Sequence, residues 1–121
     1  RPIDLTMGHF NAIWQGDANA AALASLAHAT SPPFVFNLAG PETLSVRQVC
    51  QQLGRIMGRT PRFTGSEAPD ALLSNSQLAM RLFGYPTVPV QQMIHWIAHW
   101  VLRGGENLGR PTHYEVRDGR F

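Results

Sequence analysis

Two histidines near the end of the sequence, His95 and His99, have the spacing of a metal-binding pair. Four residues apart on a helix, they would face one side. The residues between them are Trp96, Ile97 and Ala98, so the glutamate of a helical zinc-protease motif is missing. Zinc takes three or four protein ligands. We therefore expect no metal site here, and instead two tryptophans, Trp96 and Trp100, that pack at a domain boundary.

The glycines of residues 104–109 are a second candidate, for binding phosphate. Phosphate loops follow a strand and open a helix, because the helix N-terminus supplies the N–H groups that hold the anion. These glycines instead follow a predicted helix. We expect a flexible exit loop, and no cofactor bound by this chain alone.

Acid–base and nucleophilic chemistry lack their usual partners in this sequence. All ten Lys and Arg side chains are arginines, so no lysine follows Tyr85 or Tyr114 at a distance of four residues. Without lysine, Schiff-base chemistry and lysine-assisted proton transfer are excluded. No serine stands in a Gly-x-Ser-x-Gly elbow. The sequence therefore predicts no catalytic residue.

Three carboxylates are candidates for catalytic groups. Asp17 precedes an alanine-rich run, where it could serve as an acid but more simply accepts the free N–H groups of a helix N-terminus. Glu67 and Asp70 lie in a predicted loop with no second acid or histidine near them in the sequence. We expect a helix cap for Asp17 and solvated charges for the other two.

Composition narrows the class of protein. The 121 residues, 44% of them hydrophobic, fit a single domain over residues 1–121. The net charge is +2 and the arginines are scattered, which argues against nucleic-acid binding. No apolar run reaches the roughly 18–20 residues of a membrane span. The single cysteine, Cys50, argues against a disulfide framework and favours a reducing, cytoplasmic setting.

The predicted elements alternate between short strands and helices. We expect one or two strands in residues 1–16, with strand-like content around Ile13 and Trp14. An alanine-rich helix follows over 17–29, and the apolar run 34–38 predicts a strand buried on both faces. The tail, over residues 114–116, predicts an edge strand, and Asp118 begins a turn.

The second half contains clearer helix signals. Ser45 with Gln48 forms a capping box for a helix over 46–57, which Gly58 ends. Residues 60–64 predict a strand. Ser74 with Gln77 predicts a second capping box, for a helix that ends at Gly84. A last helix over 89–103 has an apolar core stripe consisting of Val90, Met93, Ile94, Ile97, Val101 and Leu102.

The order of these signals resembles the carboxy-terminal part of NAD(P)-dependent epimerase/dehydratase enzymes, the extended short-chain dehydrogenase/reductase superfamily. The resemblance covers residues 8–103. The motifs that carry it are Ile13-Trp14-Gln15-Gly16-Asp17-Ala18 before a helix, Phe36-Asn37-Leu38-Ala39-Gly40, Leu44-Ser45 opening a second helix, and Leu82-Phe83-Gly84-Tyr85-Pro86 before the last helix.

The resemblance implies an α/β fold: a helix-rich substrate lobe together with the last edge strand of a Rossmann sheet. In that family the glycine-rich loop and the tyrosine–lysine pair lie upstream, so an N-terminal dinucleotide-binding domain is missing from this chain, and NAD or NADP belongs to the parent enzyme. Because the chain begins at Arg1 without an initiator methionine, we expect residues to precede it.

The resemblance also implies which residues face the substrate. The loop that leads into the first helix lies on the substrate side of the cleft and contains His9, Phe10, Asn11 and Trp14. Trp14 could equally be buried in a core. Family members that act on nucleotide sugars place arginines in the stretches that correspond to residues 8–11 and 65–70, and both lack arginine here. A smaller or uncharged sugar-like substrate is therefore an open alternative.

Two hypotheses follow for the chain. In the first, it is the substrate-binding part of an NAD(P)-dependent epimerase/dehydratase or sugar-type oxidoreductase, inactive alone, with an exposed apolar strand that favours self-association. In the second, it is a stand-alone, non-catalytic interaction module whose tryptophan-bearing helix docks a partner.

Overall fold

The computed structural model of the chain describes residues 1–112 and 116. The strands are β1 (Ile3–Asp4), β2 (His9–Phe10), β3 (Leu44–Ser45) and β4 (Phe63–Thr64). The helices are α1 (Gln15–Ser25), α2 (Val46–Met57), α3 (Gln77–Phe83) and α4 (Val90–Leu102), and a short 3-10 turn over Leu26–His28 extends α1. The predicted strand over 114–116 and the turn at Asp118 lie outside the described residues, apart from Val116. No helix among the described residues is long and apolar enough to cross a membrane.

Two small sheets hold the N-terminal segment in place. β1 pairs in parallel with β4, with Ile3 opposite Phe63, and β2 pairs antiparallel with β3, with Phe10 opposite Leu44. The predicted strands in residues 1–16 and 60–64 are thus confirmed, each only two residues long. The prediction of strand structure around Ile13 and Trp14 is wrong, because this stretch leads directly into α1.

Helix α2 follows its sequence signals closely. The Ser45 hydroxyl accepts a hydrogen bond from the Gln48 N–H at 3.3 Å, and Gly58 ends the helix in the left-handed region at φ 65°. Inside the helix, a Cβ at Gly54 would overlap the carbonyl oxygen of Arg59, so only glycine fits there. The helix over 46–57 and both of its predicted ends are confirmed.

Helix α4 packs against α2, and its predicted span is confirmed to within one residue at each end. Its buried residues are Val90, Ile94 and Ala98, four residues apart along one stripe. The predicted core stripe is therefore wrong in part: Ile97, Val101 and Leu102 are each more than half exposed.

The apolar segment 34–38 forms no strand, contrary to prediction. Strand geometry requires a neighbour for backbone hydrogen bonds, and no described segment pairs with this one. An aromatic cluster positions it instead: Phe36 lies 5.3 Å from Phe83 and 6.2 Å from Phe34, measured between ring centroids, and His28 lies edge-on to Phe83 at 5.6 Å. Phe34 and Val35 remain exposed.

Two predicted helix caps are also wrong. Helix α1 begins after Trp14, and Asp17 lies within its first turn; its carboxylate accepts bonds from elsewhere in the chain. Helix α3 begins after Ser76, not Ser74, and the Gln77 N–H bonds to the Asn75 side chain at 3.0 Å. Asp17 bonds to the loop before α4 instead of to the N–H groups of α1. At α3, Asn75 accepts the hydrogen bond predicted for Ser74. The predicted end of α3 at Gly84 is confirmed.

Candidate functional site

Three of the four residues expected to face substrate line one cavity. His9, Phe10 and Asn11 lie on one side of a cavity of about 670 Å³. Its largely apolar wall is completed by residues of β1, α2, neighbouring loops and the C-terminal segment: Ile3, Met7, Val46, Val49, Cys50, Leu72, Thr112 and Val116. This volume falls within the range of about 300–1,000 Å³ that is usual for small-molecule sites. We refer to it as the apolar cavity.

Pairing between β2 and β3 fixes these residues against α2. His9 lies opposite Ser45 in the antiparallel register, and the Val46 N–H continues the pairing by donating to the carbonyl of Gly8 at 2.9 Å. Because Ser45 is also the N-cap of α2, the strand pair and the helix start form one unit. The site side chains are therefore held at the first turn of α2.

Cys50 contributes a thiol to the apolar cavity. Burial raises the pKa of this thiol above its ordinary value, because the surroundings disfavour the charged thiolate. The thiolate is the nucleophilic form of cysteine. Cys50 therefore acts as an apolar wall residue at neutral pH rather than as a nucleophile.

Asn11 links two loops across the site. Its Nδ2 donates to the carbonyl of Glu42 at 3.1 Å, and its Oδ1 accepts from the Ser74 N–H at 2.8 Å. Residues 41–43 and 73–77 are thereby held at a fixed separation. Both loops, with Asn11 between them, also line a second cavity of about 390 Å³, which we call the polar cavity.

Trp14 lies apart from the other three candidates. Its ring packs on Trp96 of α4, with centroids 5.8 Å apart and planes inclined by 59°, and the side chain is 39% exposed. It lines neither cavity. The indole also covers Gly16, where an added Cβ would overlap its six-membered ring. The structure therefore assigns Trp14 a packing contact between α1 and α4.

An ion pair that local sequence patterns do not predict lies beside the site. The Arg47 guanidinium donates to both carboxylate oxygens of Glu67, at 2.7 and 3.0 Å, and lies 5.2 Å above the centroid of the Phe63 ring. The hydrogen bonds from Arg47 lower the pKa of Glu67 from 4.5 to about 2. Glu67 is thus an ionised, partly exposed carboxylate that Arg47 holds in place. Its partner is twenty residues away, so no local pattern could have revealed it.

Asp17 forms a second long-range contact. Its carboxylate accepts from the Thr87 hydroxyl at 2.6 Å and from the Val88 N–H at 3.1 Å. The Thr87 hydrogen bond lowers the pKa of Asp17, so the group is ionised at neutral pH. An ionised acceptor with both oxygens engaged is suited to fixing the loop before α4 on α1, rather than to donating a proton.

His95 and His99 are exposed on α4. Within the described part of the chain, no group of three or more His, Cys, Asp or Glu side chains could hold a metal ion. The pair offers two ligands at most.

The glycine-rich loop after α4 closes the helix. The Gly105 N–H donates to the carbonyl of Trp100 at 2.9 Å, and the Trp100 indole donates to the carbonyl of Glu106 at 2.9 Å. Gly104 takes the left-handed conformation at φ 69°. These contacts supply hydrogen-bond partners at the C-terminal end of α4, where the last carbonyl groups have none within the helix. This loop therefore ends a helix, whereas a phosphate-binding loop joins a strand to the start of one.

The comparisons with known proteins rest on structure. No family model and no curated protein matches the sequence. Among solved structures, a crystal structure of UDP-glucuronic acid 4-epimerase from Bacillus cereus in complex with NAD matches with a TM-score of 0.65 at 17% identity. The chain shares its fold with part of this epimerase. The match covers 88% of this chain and 36% of the epimerase chain.

This neighbour confirms the α/β fold that the resemblance implied, with helices predominating over short strands. The chain spans little more than a third of the neighbour's length, 36%. The expected edge strand of a Rossmann sheet is not formed by segment 34–38 within the described residues. Among the features of the chain itself, the apolar cavity, the polar cavity and the exposed apolar segment bear on its function.

Proposed function

We propose that residues 1–121 are one domain, the substrate-binding carboxy-terminal portion of an NAD(P)-dependent epimerase/dehydratase of the extended short-chain dehydrogenase/reductase superfamily. The observation that carries this is the fold match, in which 88% of this chain corresponds to 36% of an epimerase chain in complex with NAD. The order of motifs along residues 8–103 supports it independently. In this proposal the chain alone is inactive.

The proposed dinucleotide-binding domain lies on the parent protein, before Arg1. The absence of lysine from the sequence and the closed loop after α4 both support this division of labour. NAD or NADP, held by that domain, would supply hydride transfer. The residues of this chain would hold the substrate, orient it and exclude water.

Segment 34–38 is the proposed docking edge for that domain. Its aromatic cluster fixes one side against α3, whereas Phe34 and Val35 are 44% and 78% exposed. A Cβ at Gly40 would overlap the carbonyl oxygen of Ala12, so the end of the segment lies tightly against the approach to α1. A backbone that has no strand partner among the described residues and is held by Phe36 and at Gly40 is suited to join the edge of a sheet.

The apolar cavity is the proposed substrate-side wall. His9 and Phe10 would contact the substrate directly, while Asn11 would act mainly by holding its two loops. Trp14, which packs on Trp96 away from this cavity, is the least supported of the four proposed contacts. The substrate class proposed is sugar-like.

The coding sequence upstream of Arg1 tests the proposal first. It should encode a strand followed by a glycine-rich loop, and a tyrosine with a lysine four residues later. The intact product should then show substrate-dependent reduction of NAD or NADP, or epimerisation of a sugar. An open reading frame no longer than this chain would contradict the proposal.

The alternative is a stand-alone interaction module, and the exposed face of α4 favours it. Trp96, Ile97 and Trp100 are each about half exposed, at 46, 53 and 49%. This alternative predicts a monodisperse 13.4 kDa species that unfolds cooperatively and whose dye binding, through the exposed face of α4, is unchanged by Val35→Asp. The fragment proposal predicts dye binding and self-association through segment 34–38, which Val35→Asp should reduce. Size-exclusion chromatography with the dye separates the two.

A further inference from the structure

The polar cavity has a different chemistry from the apolar one. Its walls are the loops 40–43 and 73–77, and Tyr85 stands at its edge. The volume of about 390 Å³ lies within the usual range for small-molecule sites, about 300–1,000 Å³. None of the residues that line it is charged.

Several polar side chains that line the polar cavity have hydrogen-bonding groups with no partner among the described residues. The hydroxyls of Thr43 and Ser74 and the side-chain amide of Gln77 form no hydrogen bond with described residues. The Asn75 Oδ1 accepts from the Gln77 N–H, which leaves its NH₂ group available. Hydroxyls and amides both donate and accept, which is the chemistry that matches sugar hydroxyl groups.

The walls are held at a fixed separation. Asn11 bonds to the carbonyl of Glu42 on one loop and to the N–H of Ser74 on the other. A ligand entering between the loops would therefore meet groups that are already positioned, which lowers the ordering cost of binding. This distinguishes the cavity from a mobile polar surface.

Tyr85 supplies an aromatic face beside these groups. It is 74% exposed, among the most exposed of the large side chains of the described chain. Pro86 follows Tyr85 and restricts the backbone that carries the ring. The C–H face of a sugar ring would cover this apolar surface and remove it from water.

We propose that the polar cavity is a subsite for an uncharged, polyhydroxylated ring, with Tyr85 as its platform and Thr43, Asn75 and Gln77 as partners for its hydroxyl groups. The inference rests on the proposed function for the sugar-like class of substrate. It adds a location, and it specifies a ring without phosphate. No arginine or lysine among the described residues lines the polar cavity to pair with a diphosphate.

The test is an NMR titration of ¹⁵N-labelled chain, residues 1–121, with methyl β-D-glucopyranoside, and in parallel with glucose 1-phosphate and UDP. The glycoside should shift the amide signals of residues 74–77 and 85 with a Kd of roughly 1–10 mM. Tyr85→Ala should weaken binding at least about tenfold, equivalent to 1.4 kcal/mol, whereas Tyr85→Phe keeps the ring and most of the affinity. The unchanged signals of α2 would report that each variant is folded.

Three results would overturn the subsite. These are no shift at residues 74–77 and 85, stronger shifts there with UDP or glucose 1-phosphate, or glycoside shifts confined to His9 and Phe10. None of them bears on whether the intact product binds NAD or NADP, so failure of this inference and failure of the proposed function remain separate.

Discussion

The α2–α4 pair and segment 34–38 both carry apolar side chains, but the pair buries them within the chain and the segment leaves some of them exposed. In the pair, each helix covers the other, and Val46, Ile94 and Ala98 are buried. In the segment, Phe36 packs on Phe83 while Val35 is 78% exposed and the backbone has no strand partner among the described residues. One region is completed within the chain; the other presents a surface that another element would complete. The difference separates what the chain stabilises by itself from what it offers to a parent enzyme.

The largest expected effect contrasts two isoleucines of α4. Ile94 is 4% exposed against α2, whereas Ile97 is 53% exposed. Ile94→Ala should lower the free energy of unfolding by about 2–5 kcal/mol, because it leaves a cavity in the core. Ile97→Ala should change it by no more than about 0.5 kcal/mol. Urea unfolding followed by circular dichroism measures both, and equal losses would mean that the α2–α4 interface is misassigned.

A second contrast concerns the two serines that begin predicted capping boxes. Ser45→Ala removes the acceptor for the Gln48 N–H and should cost about 1 kcal/mol of unfolding free energy. Ser74→Ala should cost less than about 0.5 kcal/mol, because Ser74 contributes its backbone N–H, which alanine retains. The same unfolding measurement applies. A larger loss for Ser74→Ala would contradict the observed start of α3.

The aromatic cluster gives a third way to separate the two regions. Phe83→Leu removes the ring contacts to Phe36 and His28 and should cost about 0.5–1.5 kcal/mol. Dye binding at segment 34–38 should increase, while the amide protons of α2 should keep their protection from hydrogen exchange. Equal loss of protection in both places would show that segment and helix pair form one cooperative unit.

The smallest expected effect concerns how the stability of the chain depends on pH. The pKa of Glu67 is lowered from 4.5 to about 2 by Arg47, so its contribution to stability is present above pH 4.5 and is lost as the pH falls toward 2. Glu67→Gln should therefore show a smaller fall in melting temperature across this interval than the unmodified chain. Glu106→Gln, at an exposed position, is the matched control for loss of a negative charge. Identical curves for all three proteins would contradict a role for the ion pair.

Local signals predicted the helices well. The Ser45 cap, the left-handed Gly58 and the apolar spacing of residues 46–57 act within a few residues of each other, and the structure contains that helix as predicted. The resemblance likewise predicted the α/β fold that the epimerase neighbour confirms. Such features need no knowledge of distant partners.

Features that depend on distant partners could not be predicted in the same way. Asp17 has the position of a cap but bonds to Thr87, seventy residues away, and Glu67 bonds to Arg47 across twenty residues. Segment 34–38 has the composition of a buried strand, but composition does not supply the neighbour that a strand requires. The grouping of His9, Phe10 and Asn11 in one cavity agrees with the substrate-side prediction in geometry, while their role in binding stays a prediction.

The central claim, that this chain is the substrate-binding part of a larger NAD(P)-dependent enzyme, is tested most directly by calorimetric titration with NAD and NADP. The titration compares the 121-residue chain with the full product of its coding sequence. We expect binding of one cofactor by the full product and no detectable heat with the chain alone. Binding by the chain alone, or by neither protein, would contradict it.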